Sequence, residues 1–272
     1  MVSSNSTRMD RSIRGLPLEE QPVKITLEYD GAAYCGWQRQ PVVRTVQGDL
    51  EQALATVLRT PVTVLGQGRT DSGVHAESQV AHLFLPDPSI DLDDLRKHLN
   101  GIMSPTCTVR QMVLAPSGFH ARFSATGRRY RYQIIREFSP LRRTTHWFVE
   151  GDLDLDVVER GMEACLGEHD FGMFCSHSQD LEHTRCTVLS FSMDRDGTCL
   201  TFRIAANRFL HNMVRRLAGE MVVLGRGKRS FDHFMMRLDE PGPADAGLTA
   251  PPHALFLEQV IYPDMVAGDL SP

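Results

Sequence analysis

The sequence predicts an α+β (mixed α/β) chain made of two similar halves, each a mainly antiparallel sheet flanked by helices. Three observations carry that prediction. Short stretches alternate apolar and polar residues with period two, while others repeat apolar residues at helical spacing. The two patterns interleave along the chain, strand and helix by turns. And 272 residues, 42% of them apolar, suffice to bury a sizeable core without disulfides or metals. The halves are expected at residues 22–117 and 118–264, between a disordered tail at 1–21 and a short tail at 265–272.

In the first half, Val23 to Asp30 alternates strictly, with Val23, Ile25, Leu27 and Tyr29 on one face, and it ends in a turn at Asp30-Gly31. The loop that follows, AAYCGWQRQP, sets Tyr34, Trp37, Gln38 and Arg39 around Gly36. It suits stacking on a base or ribose, and equally suits a loop anchored in the core by its aromatics. Val46 to Arg59 puts Val46, Leu50, Ala53, Leu54, Val57 and Leu58 on one helical face behind Thr45 as N-cap. A strand-like run at Val62 to Leu65, a strand at Gln79 to Leu85, a helix from Asp91 closed at Asn100-Gly101, and a strand at Cys107 to Val113 complete this unit.

The second half opens on a strand at Arg129 to Arg136, whose alternation gives Tyr130, Tyr132 and Ile134 one face and Arg129, Arg131 and Gln133 the other. Asp154 to Leu166 is an amphipathic helix stopped by Gly167, and two strands at Thr184 to Asp194 and Thr198 to Ala205 join at Asp196-Gly197. Asn207 is placed to cap a long helix running to Leu224, ended by Gly225. In that helix Arg216 falls in a solvent-facing row with Asn212 and Glu220, with an i,i+4 ion pair. Arg215 lies with His211, Gly219 and Val222 on the edge of the apolar face. An arginine held there needs an anion, which a phosphate or a carboxylate such as Asp71 would supply.

Composition narrows the function. The longest apolar run, Met213 to Leu224, is interrupted by Arg215, Arg216 and Glu220, which argues against a membrane span. The N-terminal stretch lacks the apolar core of a signal peptide, and the six cysteines are scattered without metal-ligand or CxxC spacing. The expected address is the cytoplasm, with reduced thiols. No metal is expected: the histidines show no HExxH or regular helical spacing. No phosphate loop and no nucleophile elbow is present either. The net charge of -5 is polarised, with seven arginines against one acid between His120 and Trp147. Basic segments of that kind can follow a phosphate backbone.

The candidate chemistry centres on GRTDSGVH, Gly68 to His75. Asp71 stands between two glycines with Arg69 two residues before it. The residues admit two readings: a surface turn whose Asp caps its own backbone, or a carboxylate mounted for chemistry beside a cation. Tyr130 likewise is either a core ring or one that stacks on a base while Arg128, Arg129 and Arg131 hold phosphates.

Taken together, GRTDSGVHA, FHARFSATGRRYRY, ANRFLHNMVRRLAGEM and TAPPHALFLEQVIYP, in that order, closely resemble the motifs of the tRNA pseudouridine synthase A family, with similarity from about Val23 to Pro263. The resemblance implies the pseudouridine synthase fold, with the active-site cleft between the two halves. It also implies a cofactor-free enzyme that converts uridine to pseudouridine in the anticodon stem-loop of tRNA, acting as a homodimer in which one tRNA touches both subunits. Carried over by position, Asp71 is similar to the catalytic aspartate, Tyr130 to the tyrosine that stacks on the target base and Arg215 to the arginine that pairs with the aspartate. Leu255 resembles the apolar wall of the base pocket. Arg69, with Arg128, Arg129, Arg131, Gln38 and Arg39, is expected to bind the RNA. Ser72 and Ala254 depart from the usual alanine and glycine, and residues 175–186 match weakly. The alternative is an RNA-binding or RNA-folding protein on the same scaffold without turnover.

Overall fold

A computed structural model describes residues 21–176, 181–239 and 247–263; the two expected tails lie almost wholly outside them. The strands are β1 (Val23–Tyr29), β2 (Leu65–Gly66), β3 (His75–Leu83), β4 (Cys107–Leu114), β5 (Gly127–Ile135), β6 (Trp147–Phe148), β7 (Gly167–Asp170), β8 (Arg185–Asp196), β9 (Cys199–Ala206) and β10 (Leu255–Ile261). The helices are α1 (Val46–Leu58), α2 (Leu92–Met103), α3 (Leu155–Ala164), α4 (Met213–Gly225) and α5 (Phe231–Asp239).

The described strands form one sheet in the order β4-β1-β3-β10-β5-β9-β8-β7, with β2 on β3 and β6 on β5. The two halves therefore share a sheet, and the strand that joins them is β10, parallel to β3 and antiparallel to β5. α1 packs on α2 and α2 on β4 in the first half, whereas α3 packs on α4 and β8 in the second.

Register fixes which side chains share a face, because directly paired residues point the same way. Tyr29 pairs with Ala76, Ala76 with Leu257, Leu257 with Tyr130 and Tyr130 with Ile204, so these five form one row across the middle of the sheet. Phe256 pairs with both His75 and Arg131, and Arg131 with Arg203, which puts that second row on the opposite face.

Several local expectations hold, and others are corrected. Thr45, Asp91 and Asp154 each accept the first-turn N–H that an N-cap should. The run at Val62 to Leu65 contributes only the short β2, and β3 begins at His75, inside the motif, not at Gln79. Asn100-Gly101 does not close α2, which continues to Met103. The amide of Asn100 is committed instead to both backbone groups of Val109, at 3.0 and 2.7 Å. Asn207 does not cap α4; its Oδ1 accepts from the N–H groups of Thr187 and Arg208, and the helix starts after Asn212.

The solvent-facing row on α4 is also overturned, since Glu220 is buried and ion-pairs with Arg229 and Arg237. Burial raises the Glu220 carboxyl above its ordinary range, against the pull of Arg237 and Arg229. Arg216 turns instead toward the carbonyls of Met173 and Cys175. Tyr34 and Trp37, 3% and 1% exposed, are core anchors and not a stacking surface.

Candidate active site

The loop Gly66–His75 is held from beneath by the first half of the sheet. The hydroxyl of Tyr29 bonds Thr70 Oγ1 at 2.8 Å, the N–H of Trp37 donates to Thr70 O at 3.1 Å, and Gln79 Nε2 donates to Gly68 O at 3.4 Å. Contact this close needs neighbours without side chains. A Cβ on Gly31 would lie 2.1 Å from Val74 O, and one on Gly36, at φ +86°, would lie 2.7 Å from Thr70 O. The turn closes on itself through Val74 N–H donating to the backbone carbonyl of Asp71 at 3.2 Å. That leaves the Asp71 side chain directed at the second half of the protein, which the surface-turn reading did not anticipate.

What it meets there is the start of α4. Arg215 Nη1 lies 3.5 Å from Asp71 Oδ2 and His211 Nε2 lies 3.4 Å from Oδ1. The guanidinium is itself held: Nε donates to Ala250 O at 2.7 Å and Nη1 to Asn212 Oδ1 at 2.8 Å. With 16% of the Arg215 side chain and 27% of the Asp71 side chain exposed, the pair is partly shielded from solvent yet open to a ligand.

The floor comes from the row of side chains on that face of the sheet. Tyr130 is 9% exposed and meets Phe209 edge to face at 5.2 Å. Burial raises its hydroxyl well above the ordinary tyrosine range, the charge of Asp71 adds to the rise, and Arg128 opposes it. The phenol stays protonated at neutral pH. Leu255 opens β10 opposite Tyr132, on Tyr130's face. The helical turn before it, Pro252–Ala254, packs its proline ring on the Asp71 loop, 3.1 Å from where a Cβ of Gly73 would stand.

The remaining expected residues divide. Arg69 is exposed, and Arg129 is exposed on the face of the sheet away from Tyr130; Arg39 is paired with Glu51 at 2.9 Å, and Gln38 follows Trp37, whose N–H reaches Thr70 O. Arg128 is a brace: its nitrogens donate to Gln67 Oε1 and to the carbonyls of Gln67, Arg122, Ala125 and Asn207, so all five N–H groups are taken by protein. Arg131 lies on the far face of the sheet, over the ring of Phe256 and paired with Glu77 and Glu258. It is not brought to Asp71. On that face a cavity of about 310 Å³ is lined by His75, Glu77, Thr106, Thr144 and Phe256. Of its carboxylates, Glu28 is matched by Arg110, Glu77 by Arg131 and Asp30 by His75 at 3.1 Å, and Asp71 lies across the sheet from it.

Sequence reasoning missed His211, Asn212 and Phe209. His211 stands four residues before Arg215, the spacing that signals a shared face. Among the described residues no group of three or more His, Cys, Asp or Glu is arranged to hold a metal ion.

The family model described as tRNA pseudouridine synthase matches residues 25–124 and 162–263 of this chain. A protein of Geobacter sp. (strain M21) named tRNA pseudouridine synthase A is 38% identical over 245 residues, covering 89% of this chain and 99% of that one. Its namesake in Geobacter sulfurreducens is 40% identical over 242 residues, covering 88% and 99%. That in Rhodopseudomonas palustris (strain BisB5) is 38% identical over 242 residues, covering 88% and 98%. Among solved structures, an archaeal box H/ACA sRNP Nop10-Cbf5 complex aligns at a TM-score of 0.34 and 11% identity, over 74% of this chain and 43% of that one.

Proposed function

The chain belongs to the tRNA pseudouridine synthase family, and from that premise we propose that it isomerises uridine to pseudouridine in the anticodon stem-loop of tRNA, with Asp71 as the reacting carboxylate. The observation that carries the reading is the meeting at Asp71 of Arg215 and His211 from one segment, above a wall that contains Tyr130 and Leu255.

The reaction breaks the bond from ribose C1′ to uracil N1, turns the base, forms the bond from C1′ to C5, releases the C5 proton and leaves N1 carrying a proton taken from solvent. Substrate and product are isomers, so no oxidant or reductant is needed. A carboxylate acts here as nucleophile at the sugar or as a base, and in both roles it must be aimed. The groups at the start of α4, Arg215 and the preceding His211, are placed to aim it. A uridine inside a stem must first leave its stack, at a cost of a few kcal/mol. A buried aromatic and aliphatic wall offsets that by stacking and burial, while the exposed Arg69, two residues from Asp71, is available to a backbone phosphate.

The resemblance supports a homodimer, and six free cysteines suit a reducing compartment such as the cytoplasm. None of the described helices is long and apolar enough to cross a membrane.

The test uses a tRNA transcript labelled with tritium at uracil C5. Asp71→Ala and Asp71→Asn are expected to abolish tritium release while tRNA binding persists. Release at the wild-type rate from Asp71→Ala would remove Asp71 from the chemistry.

A further inference from the structure

We propose that His211 and Asn212, the two residues immediately before α4, are positioning residues that hold the two oxygens of Asp71 in separate grips. This rests on the reading of Asp71 as the reacting carboxylate and goes beyond it, by assigning how that carboxylate is aimed.

The geometry begins with the backbone. Asn212 has φ 63° and ψ 2°, the left-handed region, and besides Arg59 it is the one described residue other than glycine to do so. Such a conformation is tolerated by Asn but costs most side chains energy, and it persists where surrounding contacts enforce it. Those contacts are present on both sides. Ser176 N–H donates to His211 O at 3.0 Å, Met213 N–H to Leu210 O at 3.1 Å, and Arg216 N–H to Asn212 O at 2.9 Å. The chain is bent so that His211, just outside the helix, and Arg215, in its first turn, face the same carboxylate.

The side chains then divide the work. His211 Nε2 lies 3.4 Å from Asp71 Oδ1. Asn212 acts on the other oxygen through Arg215: its Oδ1 accepts from Arg215 Nη1 at 2.8 Å, and that same nitrogen lies 3.5 Å from Asp71 Oδ2. The amide cannot rotate to release the arginine, because its Nδ2 donates to Ser176 Oγ at 2.9 Å. Ala250 O takes Arg215 Nε. With two of its donors fixed by neutral acceptors, the guanidinium is held in place beside Asp71, whose Oδ2 lies 3.5 Å from Nη1. The nearest approach of Arg215 is to Oδ2 and that of His211 is to Oδ1, so each oxygen has its own partner.

Three substitutions separate the two grips from general damage. In His211→Gln the side-chain amide can still present an N–H to Oδ1, whereas His211→Ala removes the donor. Asn212→Asp keeps shape and tolerance of the left-handed backbone but sets a negative charge against Arg215 Nη1, in competition with Asp71. We expect His211→Ala and Asn212→Asp each to lower the single-turnover rate by about tenfold or more, the size of one hydrogen bond to a charged group. His211→Gln should recover most of the loss. tRNA affinity, measured by filter binding, should stay within about twofold throughout, because only the aim of the carboxylate changes.

Wild-type rates in His211→Ala or Asn212→Asp overturn the corresponding grip. So does a loss that appears equally in tRNA affinity, or a His211→Gln protein as slow as His211→Ala. If His211→Ala does not fold, His211→Gln decides alone, an unchanged tRNA affinity with a rate near wild type supporting the grip and a rate as low as that of Asn212→Asp opposing it. Asp71→Ala assayed in parallel keeps the two proposals apart. Activity surviving in that protein refutes the reading of Asp71 itself, whereas a dead Asp71→Ala beside fully active His211 and Asn212 variants refutes only the grips.

Discussion

His82 shows how a single residue in this structure converts pH into stability. It is 1% exposed, its Nδ1 accepts the N–H of Ala121 at 3.2 Å, and burial, reinforced by His120, lowers it to about 4 from 6.5. The folded protein therefore refuses a proton that the unfolded chain accepts. Stability is full above 6.5 and declines as pH falls toward about 4, by roughly 3 kcal/mol from this group. Urea midpoints at pH 7 and pH 5 should differ less in His82→Gln than in the wild type; equal slopes would show that His82 is not the source. At the same scale, the legibility of the site was uneven. Arg215 was legible because its phase on a helix edge left its charge without an explanation other than an anion. His211 shares that face in the sequence pattern but was not legible as a site residue, because a histidine at a helix edge needs no anion, and the left-handed turn at Asn212 that leaves it outside the helix is not visible in the pattern.

Elements position these residues by how closely their backbones approach. The loop of Gly31 and Gly36 lies against the backbone from Thr70 to Val74, and Gly36→Ala meets both a positive φ and a carbonyl 2.7 Å away. Its cost in stability should be about 1–3 kcal/mol, read as a lower melting temperature, and the displaced Asp71 loop should slow turnover beyond that loss. A variant that melts like wild type would show that the loop yields freely. Arg128→Lys should also be destabilising, since an ammonium offers three donors without the planar fork that now spans Gln67, Arg122 and Asn207. Alternation made β1 and β5 readable, because each buries one face. Element ends were less so: Asn100 and Asn207 are both side chains of cap type that the fold uses to tie strands, and that use depends on what packs beside them.

At the scale of the whole molecule, charge separation matters more than its sum. The net charge is -5, yet the exposed Arg69 stands two residues from Asp71 and Arg215 faces it. Binding of tRNA should weaken steeply with salt, with a slope of about -3 or steeper on a log–log plot for four or so phosphate contacts; a flat dependence would argue against phosphate recognition. That two α/β units build the chain was readable from the order of elements. That they share one sheet was not, because the pairing of β10 with both β3 and β5 is a contact between segments distant in sequence. This pairing also orders events in time during synthesis. When the ribosome has made Asp71, Tyr130 and Arg215, the strand that joins their two sides of the sheet is still to come, so the proposed site is expected to assemble only once Ile261 has been added.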